Sequence, residues 1–179
     1  MPGPAFRRGE SVALCTVEED DLPYLQRLHT DPDVRWTTTF ASRPENDGTI
    51  EEWFEAEVSD PKNELTSFLV THDDERVGYV ELSGVERPAS HGTLGCYVEP
   101  DVPEDVAVAA LELGVGYAVE ERRLHRVRAT VLASDETARE TLTHAGFTEE
   151  ETRREEWYVD GTHRDVIGYA VLEDEWGEN

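Results

Sequence analysis

The chain has 179 residues with 41 Asp or Glu against 16 Lys or Arg, a formal charge of −25; that length predicts one domain with a core needing no disulfide or metal staple. The charge excludes binding that neutralises nucleic-acid phosphates and argues against an anionic membrane surface. No stretch reaches the ~20 apolar residues of a membrane span, and no apolar run follows Arg7 and Arg8 as in a signal peptide, so the expected compartment is the cytoplasm.

Residues 1–9 are expected to fray, with a single domain over 10–176. Residues 12–17 read as a first strand, and Thr16 with Glu19 has capping-box spacing before a helix through Leu22, Leu25 and Leu28. Pro32 breaks it. Thr49 with Glu52 repeats the box before a short helix at Trp53 and Phe54, ended near Pro61. Two strands, 65–71 and 76–83, flank an acidic turn at 73–75, and 91–98 is a further strand closed by Pro100. Residues 105–121 are apolar at 106, 109/110, 113 and 117 and again at 107, 111 and 118, the pattern of a largely buried helix. A strand at 127–132 follows, then a helix at 135–145 capped by Ser134 and stopped by Gly146. Residues 157–172 form a hairpin around Asp160 and Gly161, a pair suited to a type I′ turn. The class is α/β: a mixed central sheet of about seven strands flanked by about four helices. Trp157, Tyr158, Val159, Val166, Ile167 and Tyr169 carry more apolar surface than one sheet face hides, which predicts a homodimer through these strands or the helix beside them.

Of the 16 basic residues only Lys62 is lysine, and the acids are spread through the chain, at 18–21, 73–75, 149–151 and 173–175. Such a skin repels itself in dilute buffer and is screened in strong salt. It reads as the surface of a protein from a salt-loving cell; the alternative is a surface recruiting a basic partner. Cys15 and Cys96 each sit in an apolar stretch and read as small buried hydrophobes.

Five segments, in order, carry a family resemblance: residues 28–34 after the first helix, 77–80 with Gly78 and Tyr79, 124–127 with His125, 145–147 with Gly146 and Phe147, and the hairpin 158–166. Together they resemble the GNAT acetyltransferase fold, and within it the ribosomal-protein N-terminal acetyltransferase branch (RimJ/RimL type). The resemblance implies attack of a neutral amine on the thioester of acetyl-CoA, the co-substrate, with no metal. It implies that the strands at 91–98 and 127–132 splay apart and that pantetheine pairs with the open edge at Cys96, Tyr97 and Val98. Pyrophosphate would sit on backbone N–H groups of Val102, Glu104, Asp105, Val106 and Ala107, where a turn enters the long helix. Asp135 stands where the family has an Asn that touches pantetheine.

The match departs from the family at its chemistry. The phosphate turn has no glycine, the segment from Pro100 to Tyr117 is one residue short, and Pro103 lacks an N–H. The same turn also reads as a plain acidic helix start. Ala138 and Leu142 replace a Ser and a Tyr; Trp157 and Thr93 replace acids. The catalytic candidates are Glu155, two residues before Trp157 and on its face in a regular strand, and Glu81 after the Val80 strand position. His144 and His125 read as helix-end and packing residues, and residues 72–75 as a hairpin turn rather than a metal site. Trp36, Trp53 and Trp157 are candidates to line the acceptor cleft. The expected function is acyl-CoA-dependent acetylation of a primary amine, on a protein N-terminus or a small molecule. The alternative is a GNAT-fold binding or dimerisation module that no longer turns over acetyl-CoA.

Overall fold

The computed structural model describes residues 2–35, 46–59 and 64–177; Trp36 and Pro61 lie outside the described residues. The elements, in chain order, are β1 (Ala5–Arg8), β2 (Val12–Thr16), α1 (Leu22–Thr30), α2 (Pro32–Arg35), α3 (Asp47–Trp53), β3 (Thr66–His72), β4 (Glu75–Glu86) and β5 (His91–Val98). Then come α4 (Glu104–Gly116), β6 (Arg126–Leu132), α5 (Glu136–His144), β7 (Thr148–Val159) and β8 (Thr162–Leu172). The strands make one eight-stranded sheet in the order β1-β2-β3-β4-β5-β6-β8-β7. Every neighbouring pair is antiparallel except β5 with β6.

Two apolar clusters cover the sheet. On one face Leu14, Val80, Leu82, Leu94, Val127 and Ile167 pack beneath α4 and α5, with Ala110, Leu111 and Val115 of α4 nearly inaccessible. On the other, Cys15, Leu69 and Tyr79 meet Leu25 and Leu28 of α1. No residue of β6, β7 or β8 belongs to this second cluster. Among the described residues the helices therefore cover only part of that face.

The turns follow their residues. Asp73 and Asp74 have φ of 50° and 64°, and Asp160 and Gly161 have 46° and 78°, the paired positive values of type I′ hairpins. After α5, Gly146 at φ 88° lets the N–H groups of Gly146 and Phe147 reach the carbonyls of Thr143 and Leu142, a Schellman stop. The buried helix at 104–121 ends in a π-helical turn, Tyr117–Glu121.

Several expectations change. Residues 5–8 do not fray: β1 pairs with β2, and Arg7 donates to Glu120 and Glu121, both at 2.8 Å. A Cβ at Gly116 would stand 2.8 Å from an Arg7 guanidinium nitrogen, so that glycine makes room for the contact. The caps sit elsewhere than expected. The N–H of Glu18 donates to Asp21 Oδ2 at 3.0 Å, Asn46 Oδ1 accepts from the N–H of Thr49, and Asp135 Oδ1 accepts from the N–H of Ala138. Each segment carries more than one polar side chain near the helix start, and the structure uses Asp21, Asn46 and Asp135. β7 starts at Thr148, well before Trp157, because its charged residues alternate with nothing apolar and hid the strand. As an edge strand it carries its acids and arginines where they discourage pairing with another sheet. Val166, Ile167 and Tyr169 are buried in the chain's own core, which leaves Tyr158, 66% exposed, as the large apolar side chain open on the hairpin.

Candidate active site between the parted strands

β5 and β6 are paired only at His91 with Arg126, Gly92 with Val127 and Thr93 with Arg128. Beyond Thr93 they diverge, while β5 stays paired with β4 as far as Val98 opposite Gly78. The edge of residues 95–98 that faces β6 is therefore open. Between the strands lies a cleft of about 430 Å³. Cys96, Tyr97, Val98 and Glu81 line it from the sheet, and Val102, Glu104, Ala107 and Asp135 from the helix side. Asp105 and Val106 do not line it; Val106 is turned into the core.

Glu81 is 8% exposed at this cleft. Its Oε2 accepts from the Tyr79 hydroxyl at 3.3 Å, and that hydroxyl lies 2.7 Å from Ser67 Oγ. Burial raises the Glu81 carboxyl above the ordinary carboxylate value, opposed by the Tyr79 hydrogen bond and the His29 charge. Tyr97 stacks on Tyr79 at 6.2 Å, and its hydroxyl would stand 2.5 Å from a Cβ at Gly95. Gly95 thus lets Tyr97 lie flat along β5 beside Glu81. From the sequence, Ser67 has no assigned place and Tyr79 is named only within the family segment 77–80. The signal was there: Tyr79 and Glu81 are two residues apart on a strand, hence on one face.

The other candidates separate. Glu155 has φ 53° inside a bulge between Arg153 and Trp157, and its N–H donates to Asp165 Oδ1 at 2.9 Å. The bulge breaks the alternation, so Glu155 is exposed and absent from the cleft, while Trp157 lines it. Trp53 packs edge-on against Tyr79 and His29 in the second core cluster. His125 stands 3.6 Å from Glu173 at the head of β6. Thr93, Ala138 and Leu142 line the cleft and offer it one hydroxyl, a methyl and an isobutyl group.

The turn before α4 has the plain geometry of a helix start. The N–H of Val102 donates to Glu99 and those of Val106 and Ala107 to Pro103, so these three are used internally. Pro103 itself is the N-cap. Among the described residues no φ is positive between Ser90 and Arg123, so the turn has no αR–αL nest. Glu104 reaches across the cleft lip to His144 Nδ1 at 2.8 Å. Among the described residues no group of three or more His, Cys, Asp or Glu could hold a metal ion, and no helix is long and apolar enough to cross a membrane.

A mixed sheet parted between two parallel strands, with a buried carboxylate beside the gap, has the form of an acetyltransferase. Residues 12–148 match the acetyltransferase (GNAT) domain family, and the chain belongs to that family of enzymes. It is similar to YdaF of Bacillus subtilis (strain 168), named provisionally as a ribosomal N-acetyltransferase, with 27% identity over 106 residues. That match spans 59% of this chain and 58% of YdaF. Among solved structures it resembles spermidine N-acetyltransferase from Vibrio cholerae in complex with CoA and spermine, with a TM-score of 0.85, 19% identity, and 94% and 99% of the two chains covered. A chimera of that enzyme gives a TM-score of 0.84 at 19% identity, covering 95% of this chain and all of the other. At that identity the likeness concerns the fold. The open strand edge fits the family's acetyl-CoA arm; the turn at Pro103 fits its phosphates poorly.

Proposed function

We propose that the chain transfers an acetyl group from acetyl-CoA to a primary amine, on a protein N-terminus or a small molecule. The observation that carries this reading is the open β5 edge with Glu81 buried beside it. Acetyl-CoA supplies the activated thioester. The edge of residues 95–98, which is not paired with β6, holds its amide arm, as one strand holds another. Glu81, once ionised, pairs with the incoming ammonium and receives its proton, leaving the neutral amine to attack. The C–N bond forms as the C–S bond breaks. Ala138 and Leu142 offer no proton, so the second proton that the nitrogen sheds as the amide forms passes through water to the departing thiolate. Holding amine and thioester together supplies much of the rate in such a transfer.

The test is calorimetric titration of acetyl-CoA in multi-molar KCl, followed by thiol release with a panel of amines. Binding with turnover supports the reading. The turn at Pro103, closed over by Glu104 and His144, favours a second one: a binding module of the same fold without turnover. No binding in high salt, and none after a glycine-containing turn replaces residues 103–105, would establish that second reading. The −25 charge with one lysine supports a setting in the cytoplasm of a salt-loving cell. A homodimer through the β7–β8 hairpin rests now on Tyr158, and light scattering in high salt tests it.

A further inference from the structure

β6 turns Val127 and Ala129 into the core beneath α4, so Arg126, Arg128 and Thr130 point from the opposite face. That is the part of the face where the second apolar cluster has no residues. There Arg126, Arg128 and Thr130, with Thr93 of β5, Gly168 of β8 and Arg153 of β7, bound a second cavity of about 350 Å³, which Glu150 and Glu151 also line. A Cβ on Gly168 would come within 2.9 Å of Glu151, so that glycine keeps the floor low.

The pairing here is uneven: three guanidiniums line the cavity with two carboxylates, and Glu156 beside Arg153 makes a third. Arg126 is bonded to Glu150. Arg153 donates to Thr130 Oγ1 and to Glu156, both at 3.0 Å, and its Nε lies 3.4 Å from Glu151. Arg128 is left over. Its Nε is buried without a hydrogen-bond partner, and no carboxylate pairs with its guanidinium among the described residues. In a chain with 41 acidic residues, a partly buried arginine kept from every described one is an unsatisfied anion receptor.

Its position gives the receptor a use. Thr93, Ala129 and Thr130 line both this cavity and the acetyl-transfer cleft. Ser83, Thr93 and Arg128 form one row across β4, β5 and β6, and Glu81 is two residues from Ser83 on the same face. Two strand spacings and one pleat put the Arg128 backbone about 12 Å from that of Glu81. An extended acceptor therefore reaches a carboxylate at one end and a guanidinium at the other.

We infer that Arg128, with the hydroxyls of Thr93 and Thr130, is the anion subsite of the acceptor, so that the substrate is a primary amine bearing a carboxylate several bonds away. This rests on the acetyl-transfer reading and names its substrate class. A polyamine would place a second cation against Arg128 and is disfavoured.

The test compares ε-aminocaproate, hexylamine and spermidine as acceptors at one fixed KCl concentration, in the wild type, Arg128→Gln and Arg128→Lys. The wild type is expected to favour ε-aminocaproate over hexylamine by about tenfold in kcat/KM, with spermidine poorest. Arg128→Gln brings the first ratio close to one, and Arg128→Lys keeps part of it. A wild-type ratio near one, a preference for spermidine, or a ratio unmoved in Arg128→Gln overturns the proposal. Direct binding of N-acetyl-ε-aminocaproate separates it from the acetyl-transfer reading. Binding to the wild type that is lost in Arg128→Gln, without turnover of any amine, keeps the subsite and removes the activity; no binding, or equal binding, removes the subsite. A wild-type dimer that dissociates in Arg128→Gln would assign the guanidinium to an interface and also overturn it.

Discussion

Glu104 and His144 tie the first residue of α4 to the last turn of α5: His144 Nδ1 lies 2.8 Å from Glu104 Oε1 at the lip of the cleft. Both side chains are substantially exposed, so the pair adds little to stability. Its effect is on what the turn can hold. On the proposed acetyl-CoA reading a carboxylate stands where the pyrophosphate would sit, and two charges ~4 Å apart repel by about 1 kcal/mol in water, less in salt.

Glu104→Ala should therefore tighten acetyl-CoA binding by roughly threefold to fivefold in dilute salt, with the gain shrinking in multi-molar KCl. Replacing residues 103–105 with a glycine-containing turn should gain more, since it restores N–H donors as well. Calorimetry on both variants checks this. Equal affinities throughout would mean that the anion is not held at this helix start.

Glu81 should impose a pH dependence of known sign. Burial raises its carboxyl pKa, so between the ordinary carboxylate value and the raised one the folded chain holds a proton that the unfolded chain has released. Stability falls as pH climbs through that window, and denaturant titrations at several pH values will show the slope. The rate moves oppositely, because only the ionised form pairs with an ammonium. Glu81→Gln should flatten both profiles and lower kcat/KM about 10²-fold. A stability slope that persists in that variant would remove Glu81 as its source.

Asp21 is fully buried, and Arg76 holds its Oδ1 at 2.6 Å and 2.8 Å. Arg76→Met leaves that carboxylate inside without its cation and should cost about 3–5 kcal/mol. Arg76→Met with Asp21→Asn should recover much of the loss. Thermal unfolding of the two variants in high salt makes the comparison, and equal melting temperatures would contradict it.

The first strand should be worth keeping. Phe6 packs against Phe68 and Tyr117 with ring centroids 5.4 Å and 5.7 Å away, and Arg7 pins the strand to the end of the long helix. Deleting residues 2–8 should destabilise the chain by about 2 kcal/mol, and Arg7→Ala alone by about 0.5–1 kcal/mol. An unchanged denaturation midpoint in the deletion would show that β1 contributes nothing.

Cys96 should be chemically quiet although it lines the cleft. Burial pushes its thiol up to about 12. At pH 8 the thiolate fraction, and with it alkylation by a maleimide, falls about 10³-fold below that of a free cysteine. Rapid labelling of Cys96 in the folded chain would contradict this placement.

The sequence by itself determined the element order, because that order is written in local signals. The double apolar stripe of α4 needs no partner to be seen, nor do the Asp160–Gly161 turn and the Gly146 stop, and the family resemblance runs through those same segments. It also showed that the Pro103 turn lacks a glycine, and the structure's helix start without a nest is the consequence. Position along the chain, though, says little about which residues meet. β1 and most of β7 were hidden because an edge strand pairs on one side only and carries no full apolar alternation. Glu155 was placed by assuming a regular strand, and one residue at φ 53° turned it away. Glu81 became the cleft's buried carboxylate only through Tyr79, Ser67 and the parted strands. Arg128 became conspicuous only when the acids that surround it in composition proved to pair with other arginines. Propensities and caps act over a few residues and survive reading in one dimension. A charge left without its partner is a property of the packed sheet, where distant strands decide who stands beside whom.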